Sequence, residues 1–570
     1  MSMFYTLNCN IVMFLLVSYF SSLSLYFFFK KYTTPKYYAL ANFLILSALI
    51  LGLSGLAAAV FFSNQAFYFT TENLLGTLMI LDCSLSFSLN SLSYSFSLLV
   101  LIIGAATNLY ILNYFKNEAD EGTFIFWINA FIASMLFLVY AANFFTLFIG
   151  WELIGLTSFF LINFWQAKRS TLKSSFKAFS FNLVSDIFLL VAFVSFYYST
   201  GTTDCNTFLY IVSWEALYDS TALQVGAFCV VGCAGIKSVQ LLGHLWLPDS
   251  MEAPVPASSL IHSATLVSAG IYLLLKFSVI YLILQWQSGL ILLGAVTAAY
   301  GGVVAASQTD MKKLLAYSTM SHCGFLWILA ATGQFFVTIL YLFLHGLFKA
   351  ATFYCAGSFI RVYGSQDTRW MGRGSNYLRG DSFLLLLSAM NLAGLPFTFG
   401  AVYKTFFFKI LLLNAASWLT VGLLFIGMLS SVVYFFRITF FALFDFYKNP
   451  KTITQQVINT TKINLSKLQI VQPNHIIAVI ILISTSIVIV YGFFWILNLN
   501  VLELSEYTQE IPGFMLVKTR VETLYATYYL YFYAIYTAII LLLLIISSRT
   551  NSFLGEIILL VSYSLFIFLI

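Results

Sequence analysis

Glu152, Asp186, Lys237, Lys276, Lys349, Lys404, Lys409 and Arg437, together with His244, His262 and His345, lie inside long runs of apolar residues. Carboxyl, amino and imidazole groups are the side chains that take up and release protons. Such groups are expensive in hydrocarbon, and they usually face a bundle interior or a wet cavity. A buried acid or base whose counter-charge approaches and withdraws can alternate between holding and releasing a proton, as a proton relay requires. A structural ion pair needs only one fixed geometry, and a long lysine can instead snorkel to an interface. Those plainer readings stay open for Lys276 and Lys409, which lie near span ends or breaks, whereas Lys237, Lys349 and Glu152 sit deeper and favour the relay. The seven cysteines, Cys9, Cys83, Cys205, Cys229, Cys233, Cys323 and Cys355, form no C-x-x-C and read as small core residues. Cys229 and Cys233 could share a helix face, but two thiols alone are a poor metal site. There is no Gly-rich phosphate loop, haem motif or iron–sulfur spacing, so no metal or cofactor site is expected and any redox electrons travel elsewhere.

The elements that position these groups follow from composition. Of 570 residues, 61% are hydrophobic and 8% charged, with a mean hydropathy of +0.92. A soluble domain carries about 25% charged residues, so the chain is expected to lie in a membrane. A spanning helix takes about 20 mostly apolar residues. About 15–16 such stretches occur, near 11–29, 40–62, 92–114, 124–142, 144–165, 178–199, 222–245 and 258–281. They continue near 286–306, 312–332, 335–360, 382–413, 416–444, 476–498, 525–548 and 552–570, where 525–548 could span or lie along the membrane. The runs are continuous rather than alternating, which excludes barrel strands. The first stretch has neither a cleavage site nor Arg/Ser-rich amphipathic character and reads as a permanent span. Abundant Phe (60) and Tyr (35), with AT-rich codons, hint weakly at an organelle genome.

Charge in the connections supports the count. One face carries Lys30, Lys31 and Lys36, then Lys168, Arg169, Lys173 and Lys177, then Lys312 and Lys313. It continues with Arg361, Arg369, Arg373 and Arg379, and ends with Lys448, Lys451, Lys462 and Lys467. The connections 63–91 and 200–221, on the other face, hold acids and no Lys or Arg. The positive-inside rule puts the basic face in the cytoplasm or matrix, with 247–257, bearing Asp249 and Glu252, a mild exception. "LLGHLWLPDSMEAPVPASS" (241–259) follows Lys237, and "NLAGLPFTFGAVYK" (391–404) precedes Lys404. Interrupted helices in corresponding halves point to an ion site in inverted-repeat transporters. Two related halves are therefore expected, 124–281 and 286–444, each with one broken helix.

These segments carry a resemblance. "LFIGWELIGLTSFFLINFW" (147–165), "GIKSVQLLGHLWLPDSMEAPVPASSLIHSATLVSAGIYLL" (235–274), "DMKKLLAYSTMSHCGF" (310–325), "LHGLFKAATFYCAGS" (344–358) and "AGLPFTFGAVYK" (393–404) stand in family order and spacing. Over about residues 80–445 the chain resembles the antiporter-like membrane subunits of NADH:ubiquinone oxidoreductase, respiratory complex I, a family shared with multisubunit sodium/proton antiporters. The resemblance implies an all-α membrane protein with two inverted repeats, broken helices and a C-terminal lateral helix. Its domains would be 1–123, 124–281, 286–444 and 445–570. It implies proton translocation through Glu152, its partner Lys237, the neighbouring acid Asp186, His262, His345 with Lys349, and Lys404. Glu152 would then be held by Lys237 and water. Electrons would pass through FMN, iron–sulfur clusters and ubiquinone held by partner subunits, none in this chain. Other membrane-arm and accessory subunits, and lipids such as cardiolipin, are the implied partners, with no nucleic acid. The implied location is the mitochondrial inner membrane, with basic loops on the matrix side.

The chain departs from the family pattern at four places. "NLVSD" (182–186) puts Leu183 and Ser185 where arginine and glycine are usual, Tyr341 replaces a frequent histidine, and Thr405 replaces a frequent acid. An antiporter subunit without redox coupling uses the same motifs. A scaffold with relic charges would have lost Glu152, Lys237 and Lys404, and all three are present.

Overall fold

The computed structural model describes residues 38–50, 67–70, 85–115, 120–214, 220–371, 378–395, 398–401, 403–404, 407, 417–443 and 473–498. The expected spans at 11–29, 525–548 and 552–570, the lateral helix, Lys409, Thr405 and Pro396 lie outside them. The chain is a membrane protein built almost wholly of helices, nine of which, among the described residues, are long and apolar enough to cross a bilayer. A two-stranded antiparallel ribbon, β1 (Phe67–Thr70) with β2 (Ser86–Leu89), is the one sheet among those residues.

The helices are α1 (Tyr38–Ile50), α2 (Ser91–Tyr114), α3 (Glu121–Tyr140), α4 (Phe144–Ile162), α5 (Arg169–Thr200), α6 (Cys205–Trp214) and α7 (Thr221–Lys237). After them come α8 (Val255–Ser263), α9 (Leu266–Lys276), α10 (Ser278–Ile283), α11 (Gln287–Ser307), α12 (Met311–Ala331) and α13 (Phe335–Tyr363). The last are α14 (Arg379–Ala393), α15 (Trp418–Leu443) and α16 (Pro473–Asn498). Polar residues set their ends. The Asn143 side chain accepts from the Thr146 amide at 2.8 Å, and that of Asp310 from Lys312 at 3.1 Å, satisfying donors that a helix start leaves open. Gly201 and Gly364 close α5 and α13 in the left-handed conformation, φ 71° and 67°.

The interruptions differ in detail from the sequence expectation. The span expected at 222–245 stops at Lys237, and an irregular segment follows in which Val239 (φ 61°) and Leu242 (φ 78°) take backbone conformations that cannot continue a helix. A single 3₁₀ turn, Asp249–Glu252, interrupts this segment before α8. The span expected at 258–281 is split between α8 and α9 at Ala264 and Thr265. There the Thr265 hydroxyl donates to the Leu260 carbonyl at 2.9 Å. The connection expected at 200–221 contains α6. The acidic exception at 247–257 has a local cause: Lys177 of α5 pairs with Asp249 at 2.6 Å, and Ser170 donates to Glu252 at 3.2 Å.

Helix α11 packs most extensively against α12 and α15, as α5 does against α7. Small residues make the first contact close, the usual device where lipid offers no hydrophobic drive to association. An added Cβ at Gly324 of α12 would stand 2.6 Å from the Ala298 nitrogen and 2.6 Å from the Gly294 oxygen of α11. Gly427 of α15 meets Ala298 from the other side. Gly324→Val should therefore destabilise the protein by about 1–3 kcal/mol, the scale of core overpacking. Gly289→Ala, with nothing within 4 Å of the added atom, should be near neutral. Thermal melting and native-gel abundance of the two variants check this.

Candidate functional site

The predicted residues fall into two buried clusters. The first joins α4, α5 and α7. Lys237, the last residue of α7, is fully buried and donates to the Trp151 carbonyl at 2.8 Å. Its ammonium lies 4.1 Å over the Trp151 indole, a favourable place for a cation, and 3.8 Å from the Asp186 carboxylate. Glu152 sits on the outward side of α4, close enough to Asp186 for the two carboxyl groups to act on each other electrostatically. The carboxylate at ion-pair distance from Lys237 is thus Asp186, and Glu152, the partner that the resemblance implied, is not at that distance. The reason is helical geometry: Trp151 faces inward toward Lys237, and the next residue is turned about 100° away. Ser185, one of the departures, accepts from the Trp151 indole at 3.3 Å and donates to the Cys233 carbonyl at 3.3 Å, bracing the three helices together. Leu183, the other, is exposed on the outer face of α5.

The second cluster lies among α8, α12, α13, α14 and α15. His262 of α8 is buried, with Nε2 3.3 Å from the Ser250 hydroxyl and Nδ1 without a partner. Its ring stacks on Phe353 at 5.7 Å. Lys349 of α13 is fully buried and donates to the Leu315 carbonyl at 3.2 Å and to the Ser318 hydroxyl. His345, one turn earlier, has an unpartnered Nε2. Lys404 donates to the Ala393 carbonyl at 2.7 Å and to the Ser431 hydroxyl at 2.9 Å. Ala393 is the last residue of α14, and Gly394 turns the chain away at φ 71°, so the break leaves a carbonyl for Lys404 to take. Tyr341 is buried with its hydroxyl 2.8 Å from His322.

Between the clusters, among the described residues, no hydrogen bond joins Lys237 to His262. Gln240, in the segment that follows Lys237, accepts from Thr297 at 2.8 Å and donates to the Cys323 carbonyl at 3.4 Å. The remaining charges have local explanations. Lys276 donates to the Ala141 carbonyl at 2.6 Å, at the end of α3, which makes it a helix cap rather than a snorkelling residue. Arg437 donates to the Ala306 carbonyl at 2.7 Å near the end of α11. His244, 8% exposed, sets its ring edge-on to Tyr300 at 5.2 Å. Sequence reasoning passed over two buried groups: Lys312, which donates to the Met251 and Ala253 carbonyls at 3.1 and 2.9 Å, and His322, which is fully buried in α12. A histidine inside the apolar run 312–332 was the signal available for His322. Lys312 reads as a loop charge until the fold lays 251–253 over it.

Buried lysines held on main-chain carbonyls, with broken helices beside Lys237 and Lys404, suit an antiporter-like membrane subunit. A family model described as NADH:quinone oxidoreductase/Mrp antiporter, TM matches residues 141–435, and the chain belongs to that family. NADH-ubiquinone oxidoreductase chain 5 of Paramecium tetraurelia is 42% identical over 434 residues, 74% of this chain and 75% of that one. The protein of the same name from Cryptococcus neoformans var. grubii is 35% identical over 339 residues, 58% of this chain; the match spans about half, 49%, of that longer relative. A chain in the structure of the Mrp complex from Dietzia sp. DQ12-45-1b superposes with a TM-score of 0.67 at 25% identity, covering 85% of this chain and 56% of that one.

The Lys237–Asp186 pair makes a prediction of its own. Asp186→Ala leaves a buried ammonium without its carboxylate and should destabilise the protein by about 3 kcal/mol, the scale for breaking a buried pair. Removing both charges, in Asp186→Ala with Lys237→Met, should recover most of that loss. Melting curves of the two variants in membranes decide it.

Proposed function

We propose that this chain is the chain 5 subunit of NADH:ubiquinone oxidoreductase, respiratory complex I, and moves protons across the mitochondrial inner membrane. It works within an enzyme whose electron transfer takes place in partner subunits, which hold FMN, iron–sulfur clusters and ubiquinone. The observation that carries the reading is the series Lys237, Lys349 and Lys404, each fully or almost fully buried and each hydrogen-bonded to a main-chain carbonyl. Lys349 and Lys404 have no carboxylate at ion-pair distance among the described residues, which suits groups that exchange protons better than groups that brace a fold. The 42% identity to the Paramecium protein supports the assignment to complex I.

Protons reach the lysines and leave them along a Glu–Lys–His–Lys order. Glu152 and Asp186 exchange a proton with Lys237, His262 and His345 join it to Lys349, and Lys404 stands nearest the exit. Water fills the interval between Lys237 and His262. Quinone reduction in partner subunits changes the field on Glu152, which opens toward the outer side of the helix bundle and so faces a neighbouring membrane-arm subunit. The repeats 124–281 and 286–444, flanked by 1–123 and 445–570, supply one half-channel each. The paired contacts α5 with α7 and α13 with α14 support that division. Accessory subunits and lipids such as cardiolipin cover the outer apolar faces, and the basic loops lie on the matrix side.

A cation/proton antiporter subunit without redox coupling is the second reading, favoured by the likeness to the Mrp complex. Co-purification separates them: a megadalton membrane assembly with flavin and iron–sulfur proteins supports complex I, and an antiporter-only assembly refutes it. Glu152→Ala and Lys237→Ala should each lower the protons pumped per NADH oxidised while the complex stays assembled. A normal ratio in an assembled variant would defeat the assignment.

A further inference from the structure

His322 is a buried titratable group that the relay above does not use. It is fully enclosed in α12, and both of its ring nitrogens meet hydroxyl groups. Nδ1 lies 2.8 Å from the Tyr341 hydroxyl of α13, and Nε2 lies 3.1 Å from the Tyr434 hydroxyl of α15. Its ring centre is 4.8 Å from that of His345. Lys349 and Lys404 both lie close enough to act on it electrostatically. Tyr341 in turn meets Tyr403, the neighbour of Lys404, edge to face at 4.3 Å. His322 therefore occupies the interval between the His345–Lys349 pair and Lys404, where the described side chains give no direct hydrogen bond from one lysine to the other.

We propose that His322, between the hydroxyls of Tyr341 and Tyr434, is the protonatable link that passes protons between the His345–Lys349 pair and Lys404. The inference rests on the reading that protons cross through those lysines. The step balances without any other reagent. A neutral imidazole carries one N–H and one bare nitrogen, and a hydroxyl can accept from the first or donate to the second. A proton arriving through one tyrosine hydroxyl forms a new N–H bond on the bare nitrogen. The N–H on the opposite nitrogen then breaks, and its proton leaves through the other hydroxyl toward the far lysine. The ring is left neutral in its second tautomer, and a half-turn of the imidazole about its Cβ–Cγ bond, with reorientation of the two hydroxyls, restores the starting arrangement without sending the proton back. A purely structural polar contact would need only a donor and an acceptor at this place. The histidine frequent at position 341 in the resembling family is a tyrosine here, and His322 places an imidazole against that same side chain from the facing helix.

The test uses the assembled complex in sealed membrane vesicles, with protons translocated per NADH oxidised as the readout and a native gel to confirm assembly. His322→Gln keeps a donor and an acceptor but cannot relay a proton. It is expected to lower proton flux through this subunit about 100-fold, the low end of what a positioned acid–base group contributes, and so to reduce the ratio to that of Lys404→Met. Adding Tyr341→His to His322→Gln returns an imidazole to the same interval and is expected to restore the ratio, which a packing role would not do. A wild-type ratio in assembled His322→Gln, beside a lowered one in Lys404→Met, overturns the inference and leaves the lysine relay standing. A wild-type ratio in both overturns the relay reading and this inference with it. Should His322→Gln fail to assemble, Tyr434→Phe removes one of the two hydroxyls; a lowered ratio there upholds the link and an unchanged ratio rejects it.

Discussion

A lysine ammonium held at bilayer depth has to find hydrogen-bond acceptors within the protein, because the hydrocarbon offers none. Here Lys237, Lys349 and Lys404 all solve this in the same way, by donating to main-chain carbonyls. Among the described residues only Lys237 of the three adds a carboxylate at ion-pair distance, and its second cushion is the face of Trp151. Carbonyls and hydroxyls are neutral acceptors. They hold an ammonium without fixing its charge as firmly as an ion pair would, so the same contacts serve a site that gains and loses a proton.

The break after α14 meets that constraint for Lys404, whereas Lys237 and Lys349 share the carbonyls of Trp151 and Leu315, which lie within α4 and α12. An intact helix spends its carbonyls on its own ladder, and the last turn before a break frees them. Lys404 takes the carbonyl of Ala393 because α14 ends there, with Gly394 turning the chain away. Lys237 ends α7 itself, so the backbone that would have continued past it becomes the irregular segment 238–254. That segment brings Ser250 against His262 and the 251–253 carbonyls onto Lys312. Around Lys404, and between Lys237 and His262, broken backbone and buried polar contacts thus go together.

Close packing holds this arrangement in place. Glycines on α12 and α15 let both backbones approach Ala298 of α11, which sets the spacing of the helices that carry His322 and Tyr434. Polar groups carried on such rigid elements keep their distances. Two imidazoles 4.8 Å apart, with a tyrosine hydroxyl on each side of one of them, depend on that rigidity.

The residue types alone determined that this chain lies in a membrane and that proton-carrying side chains lie within its spans, because hydropathy and charge are local properties summed along the chain. The positions of Glu152, Asp186, Lys237, His262, His345, Lys349 and Lys404 were legible for the same reason: a charge in an apolar run stands out. Partnership was not legible, since it depends on which helix faces turn toward each other. Only the tertiary structure set Asp186 rather than Glu152 at ion-pair distance from Lys237, made Lys276 the cap of α3, and brought the Met251 and Ala253 carbonyls onto Lys312. It also set His322 against Tyr341 and Tyr434, contacts between residues 19 and 112 positions apart that no spacing along the chain can encode.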